Sequence, residues 1–225
     1  MADLPAPQSY GPSRGGFTDD KGVVPLGRRA VEDVSRRRSN VFTEVGPEGL
    51  RDLLDRDDGM IAMRSRWLDA GGHARLRHGG AVTEERLKRR ALDGEDPVSG
   101  TTMDWEHGGN HRLPRHATAF ASDADAVYAE MAIWDNPAGR AARLASDQAT
   151  APLDQVRYTV RVPATDVFGP GFRDHIRGCT RLGSPNNPQG TTPTVFPDDT
   201  VIVAVYQRDS PTSPWRAWTL YPKPQ

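Results

Sequence analysis

From residue 156 the period of this chain changes to two. "VRYTVRVP" (156–163) alternates, and "TVIVAVYQRD" (200–209) and "WRAWTLYP" (215–222), rich in β-branched and aromatic residues, read as the strongest strands. Period two is the signature of a half-buried strand. "SPTSP" (210–214) joins the last two and predicts a hairpin with a longer loop. Ahead of residue 135 the spacing is instead helical. "VTEERLKRRAL" (82–92) has Thr83 as N-cap, Glu84 and Glu85 in its first turn, and Lys88, Arg89 and Arg90 near its end. "SDADAVYAEMAIW" (122–134) opens on a capping pattern of Ser122 and Asp125, with Val127, Met131 and Trp134 on one face. "ATAF" (117–120) is a short strand. Helices first and a small twisted antiparallel sheet second make the expected class α+β.

Two segments fall outside this pattern. Residues 1–67 are expected to be disordered or loosely helical: 1–27 are rich in Pro and Gly. "RRAVEDVSRRRSNVF" (28–42) and "GPEGLRDLLDRDDGMIAMRSRWL" (46–68) carry helical spacing with mixed charge. Residues 93–116 and 168–199 are expected to be long loops, by their Gly, Pro and Asp content. The denser region is expected to start near Ala70. A content of 36% hydrophobic residues, with 22 Gly and 19 Pro, predicts a modest core.

The net charge of −1 gives no global field to gather nucleic acid, so anion binding must be local. Cys179 is the one cysteine, which removes any intrachain disulfide. It is expected to serve as a small buried apolar group. No apolar run approaches the roughly 20 residues of a spanning helix, and the first residues lack a signal-peptide core. A soluble chain is expected.

Chemistry is concentrated at two places. "GGHARLRHGG" (71–80) holds His73 and His78 in a basic run fenced by glycine pairs. On a regular helix the two would stand about 140° apart; in a loop or at a helix start they converge. Histidine titrates near neutrality and suits proton transfer. Arg75, Arg77 and the following "LKRR" are candidate phosphate donors. Alone, such a run is most simply a solvated loop. In the tail, alternation puts Trp218 and Leu220 on the core side and Thr219 and Tyr221 together on the other. His107, His111 and His116 supply imidazoles without zinc-site spacing, so no metal is expected. Phosphate-loop, dinucleotide and GxSxG motifs are absent.

In order and spacing, "GGH", "RH", "TEERLKRR", "ATAF", a helix and a terminal "TLYP" resemble the bacterial RNase A-like toxin domain. That domain stands at the C-termini of contact-dependent inhibition proteins and polymorphic toxins. The resemblance covers roughly residues 68–225. It implies the barnase–EndoU–colicin–RelE-like α+β fold and metal-independent RNA cleavage without a cofactor. By matching position, the implied catalytic residues are His73, His78, Arg89 or Arg90 (Arg86 is a third choice), Thr219 and Tyr221. The implied reaction is attack of a ribose 2′-OH on its own 3′-phosphate, with His73 or His78 as base. The implied partners are RNA, tRNA being a candidate given the low net charge, and an acidic immunity protein. A monomer is expected, delivered by a dedicated export system into a target-cell cytoplasm, with no membrane partner. The loops 93–116 and 165–199 are longer than the family pattern.

Two alternatives compete. An ADP-ribosyltransferase toxin needs a late catalytic Glu, and none follows Glu130. A non-enzymatic binding or structural protein would leave the His/Arg loop incidental.

Overall fold

The computed structural model describes residues 58–104 and 108–225, and of the earlier residues only the backbone of a short antiparallel pair, β1 (Phe17–Asp19) and β2 (Gly22–Val24). The rest of the expected leader, the helical segments of 28–57 and His107 lie outside the described residues. The elements that follow are α1 (Asp58–Gly71), α2 (Ala74–His78), α3 (Glu84–Asp93), β3 (His116–Phe120), α4 (Asp123–Asp135), α5 (Pro137–Asp147), β4 (Arg157–Pro163) and α6 (Ala164–Phe168). A 3-10 turn (Phe172–His175), β5 (Ile176–Ser184), β6 (Asn187–Pro193), β7 (Val201–Gln207) and β8 (Arg216–Lys223) complete the chain. The class is α+β, as expected.

Two three-stranded antiparallel sheets replace the single expected one: β3–β5–β6 and β4–β7–β8. They meet where the Thr118 hydroxyl of β3 donates to the Pro222 carbonyl of β8. The main core fills the space between α1, α4 and the second sheet. Its central residues include Phe120, Ile133, Ile202, Tyr206 and Leu220, all fully buried. Each such side chain stabilises the fold by about 1.5–3 kcal/mol relative to exposure. A smaller cluster of Val82, Leu87, Ala91, Ala117, Ala119 and Cys179 lies under α3. There burial pushes the Cys179 thiol up to about 11, which keeps it protonated and inert.

Several expectations need correction. α1 runs through the boundary placed at residues 67 and 68. Leu68 is in the core, and Met60, Ile61 and Trp67 pack against it, so the compact unit already includes residues 58–67. α4 buries every residue from Ala126 to Trp134 rather than one stripe, because α1, α5 and strands of both sheets surround it. α5 was not anticipated. The Asn136 side chain caps it by accepting from the Ala138 amide at 2.9 Å, and Pro137 occupies its first turn. The expected loop 168–199 contains the β5–β6 hairpin. Its turn and proline residues suit an edge strand: β6 pairs only with β5, so Pro188 and Pro193 break no central ladder. The described residues between α3 and β3 are irregular as expected, with an isolated Met103–Asn110 bridge.

α2 docks on β8 by backbone contact. The His73 amide donates to the Trp218 carbonyl at 2.9 Å. A Cβ on Gly72 would lie 2.2 Å from that carbonyl oxygen, and one on Gly80 would lie 2.6 Å from the Ser122 backbone. Only glycine permits these approaches. Gly72→Ala is expected to destabilise the protein by about 1–3 kcal/mol. Urea unfolding should show a lower midpoint at unchanged slope; an unchanged midpoint would contradict the close approach.

Candidate functional site

The histidine segment is not a solvated loop. Arg75, a candidate phosphate donor in the sequence, is a strut. Its Nε donates to Asp69 of α1 at 3.0 Å and its Nη1 to Asp123 of α4 at 2.8 Å. The second Asp123 oxygen accepts from the Gly80 amide at 2.9 Å. α2 is thus clamped at both ends before any ligand arrives.

His73 is the residue before α2, with φ −126° and ψ 21°, so helical spacing does not separate it from His78. Both imidazoles reach β8. The His73 ring lies 5.3 Å from the Trp218 ring, edge to face. The His78 ring lies 5.2 Å from the Tyr221 ring. Trp218 does not face the core as alternation suggested. A bulge between Val205 and Tyr206 on β7 leaves Trp218 unpaired, and Ala217 takes the core position with no exposure. Leu220 stays inward, and Thr219 and Tyr221 are half-buried on the opposite face. Trp218 is the neighbour of His73 that sequence alternation assigned to the wrong side. A bulge leaves no clear mark in "WRAWTLYP".

Tautomers follow from the partners. The Thr118 carbonyl can only accept, so His78 Nδ1 carries the proton it donates, at 2.8 Å. That leaves the lone pair of Nε2 free. His73 Nε2 is 3.0 Å from Arg77 Nη1, which can only donate, so this nitrogen is the acceptor and Nδ1 holds the hydrogen. Burial, with the Arg77 and Arg90 cations, pushes His73 down to about 3. Burial outweighs the Thr118 bond and, with Arg90 and Arg77, pushes His78 down to about 4. Both are neutral at neutral pH.

One turn of α3 sets the helix arginines in different surroundings. Arg90 is half-buried and donates to the Gly94 carbonyl at 3.1 Å. It acts electrostatically on His73, His78, Asp96 and His111, and burial lowers its own pKa. Arg89, about 100° away around the helix, is exposed and paired with Glu85 at 3.2 Å and Glu95 at 3.7 Å. Arg86 is exposed too. Arg89 and Arg86 therefore stand outside the constellation.

Loop 93–116 supplies groups that the sequence reading missed. Asp96 is 1% exposed, and one oxygen accepts from the amides of Val98 and Ser99. The other lies 2.5 Å from Arg77 Nε, a pairing of charge, since neither atom has a well-angled hydrogen bond. Burial raises the Asp96 pKa, but those amides with Arg77 and Arg90 outweigh it and hold the carboxyl below its usual range. His111 stands 3.7 Å from Asp96 and 3.5 Å from Asp104. The Asx-like "DPVS" turn was a visible signal for Asp96. His116 bonds Thr180 across the other sheet at 3.0 Å. Among the described residues no group of three or more His, Cys, Asp or Glu is placed to hold a metal ion, and no helix is long and apolar enough to cross a membrane.

Comparison with family models, with curated proteins and with solved structures finds no match to this chain.

The depressed histidines make stability depend on pH. Their folded values lie near 3 and 4, below the ordinary 6.5. The unfolded chain therefore binds more protons between those values. Stability is fully present above pH 6.5 and falls as pH drops towards 4, by up to about 1.4 kcal/mol per pH unit for each histidine. His78→Asn keeps a donor for Thr118 and removes one titration. Urea unfolding across this range should show a shallower slope for the variant; equal slopes would contradict a buried neutral His78.

Proposed function

We propose that the chain is a metal-independent endoribonuclease that cleaves RNA by attack of a 2′-OH on the adjacent 3′-phosphate. The observation that carries this is the 2.8 Å contact of His78 Nδ1 with the Thr118 carbonyl, which leaves Nε2 unbonded on a ring 5.2 Å from that of Tyr221. His78 Nε2 takes the 2′-OH proton as the oxygen attacks phosphorus. The bond to the 5′-oxygen breaks, and that oxygen needs a proton. Neither histidine is charged at neutral pH, so Tyr221 is the assigned donor; burial raises its pKa and keeps its hydroxyl protonated. The proton on His78 returns to the tyrosinate through solvent. The products are a 2′,3′-cyclic phosphate and a 5′-hydroxyl.

Arg90, the His73 Nδ1–H and the Thr219 hydroxyl are the donors for the phosphorane oxygens. Arg77 and Asp96 position His73. No cofactor is called for. DNA, lacking the nucleophile, is not cut. The low net charge fits selective cleavage, of tRNA for example, and the resemblance to toxin domains fits an acidic immunity partner.

RNA incubated with the purified protein and EDTA should yield cyclic-phosphate ends. His78→Asn should lower kcat/KM by about 10²–10⁴ and Arg90→Gln by about 10²–10³, while Arg89→Gln stays within about twofold, in line with a weak surface pair. Loss of activity in EDTA, or full activity in His78→Asn, would overturn the proposal. Harmless expression of the wild type in a bacterium would favour a binding module.

The pH profile separates this mechanism from one using two histidines of opposite charge. The base works unprotonated, so kcat/KM rises with pH through about 4 and stays level across neutrality. A bell centred between pH 6 and 7, the ordinary range of a free histidine, would refute the assignment of Tyr221.

A further inference from the structure

The sheet β4–β7–β8 has two faces. The main core takes one; on the other the central-strand valines Val203 and Val205 are also buried, and the flanking β4 side chains stand exposed. Register places Arg161, Val203 and Tyr221 in one row across the other face, and Thr159, Val205 and Thr219 in the next. Beyond them Arg157, Gln207 and Arg216 form a third row, and on the opposite side Pro163, Val201 and Lys223 form a fourth. Along β4 the burial alternates without exception: Tyr158, Val160 and Val162 are buried, while Arg157, Thr159 and Arg161 are exposed. The face that carries Thr219 and Tyr221 thus also carries four cations.

These cations are largely uncommitted. Arg157, Arg161 and Lys223 have no side-chain ion pair or hydrogen bond among the described residues. Arg216 has one carboxylate, Asp209, at 4.0 Å. Arg161 stands two strand spacings, roughly 10 Å, from Tyr221, close enough that its charge acts on the phenol. In a chain whose net charge is −1, such a row is where a polyanion concentrates.

We propose that this face is a subsite for single-stranded RNA flanking the cleaved linkage, with Arg161 and Arg157 taking phosphates and the Thr159 hydroxyl donating between them. The identity of the polyanion rests on the ribonuclease reading; the surface itself rests on register and exposure. Tyr221 and Thr219 are where the strand passes from this subsite to His78. Arginine suits the role, since its planar fork grips phosphate oxygens bidentately.

The test uses the full chain carrying His78→Asn, so that RNA is bound without being consumed. Binding of a short labelled single-stranded RNA is followed by anisotropy over a potassium chloride series. Arg161→Gln should reduce the slope of log K against log salt by about 0.7, and the Arg157→Gln/Arg161→Gln pair by about twice that. Arg161→Lys keeps the charge and should keep the slope. In the active protein, Arg161→Gln should raise KM on the oligonucleotide by roughly fivefold, and by less on a dinucleotide. Slopes and KM unchanged in both Gln variants would overturn the subsite while leaving a ribonuclease in place. RNA bound with the expected slope change but left intact by the wild type would keep the subsite and remove the ribonuclease reading. No RNA binding at low salt would overturn the subsite.

Discussion

The His73 amide meets the Trp218 carbonyl at 2.9 Å, and the candidate site depends on that one contact. It joins α2 to β8, two segments about 145 residues apart in sequence. Such a long loop closure costs entropy, which local propensity does not offset. Gly72 makes it possible by presenting no side chain to the Trp218 backbone. Once α2 is seated, His73 ahead of it and His78 at its end reach Trp218 and Tyr221, and Arg77 falls beside Asp96. Arg75 then holds the helix against α1 and α4, so the charged groups do not have to hold themselves in place.

This division of labour explains the electrostatics. Arg77 and Arg90 stand near two imidazoles, and the field they create disfavours a third and a fourth positive charge. Asp96, ionised and bonded by two backbone amides, balances part of it. A half-buried neutral imidazole with a free lone pair is suited to taking a proton. The same burial makes it unsuited to giving one at neutral pH, which is why the proposed reaction takes its acid from a hydroxyl.

Legibility in the sequence followed the strength of local signals. Thr83 and Ser122 cap α3 and α4 as their types suggested, and the alternation of 157–163 appears unbroken in burial. β6 was illegible because its residues are turn formers and prolines, and pairing at an edge, rather than intrinsic preference, makes it a strand; β5, between β3 and β6, was hidden by the glycines and arginines that interrupt its apolar positions. α5 is built from Ala, Gly and Arg, whose helix shows chiefly in its Asn136–Pro137 start. In the candidate site, the residue types of His73, His78, Thr219 and Tyr221 were visible. The choice of Arg90 over Arg89 was marked only by Leu87 and Ala91, which flank the "KRR" run at helical spacing and turn Arg90 towards the buried face. Asp96 and Trp218 depend on a turn and a bulge, and tertiary contact selects both.

The bulge at Trp218 also fixes how this tail tolerates change in length. With residue 218 removed, strict alternation would return through the whole of β8. Leu220 would still face the core and Tyr221 outward, so the bulge residue itself can be lost without exchanging the faces; one residue added after Thr219 would instead turn Leu220 outward and Tyr221 into the space that Leu220 fills. The loop 208–215 just before it is bound by no such parity. Insertions are therefore compatible with that loop and incompatible with the few residues after it, although both lie within a dozen positions of each other in the chain.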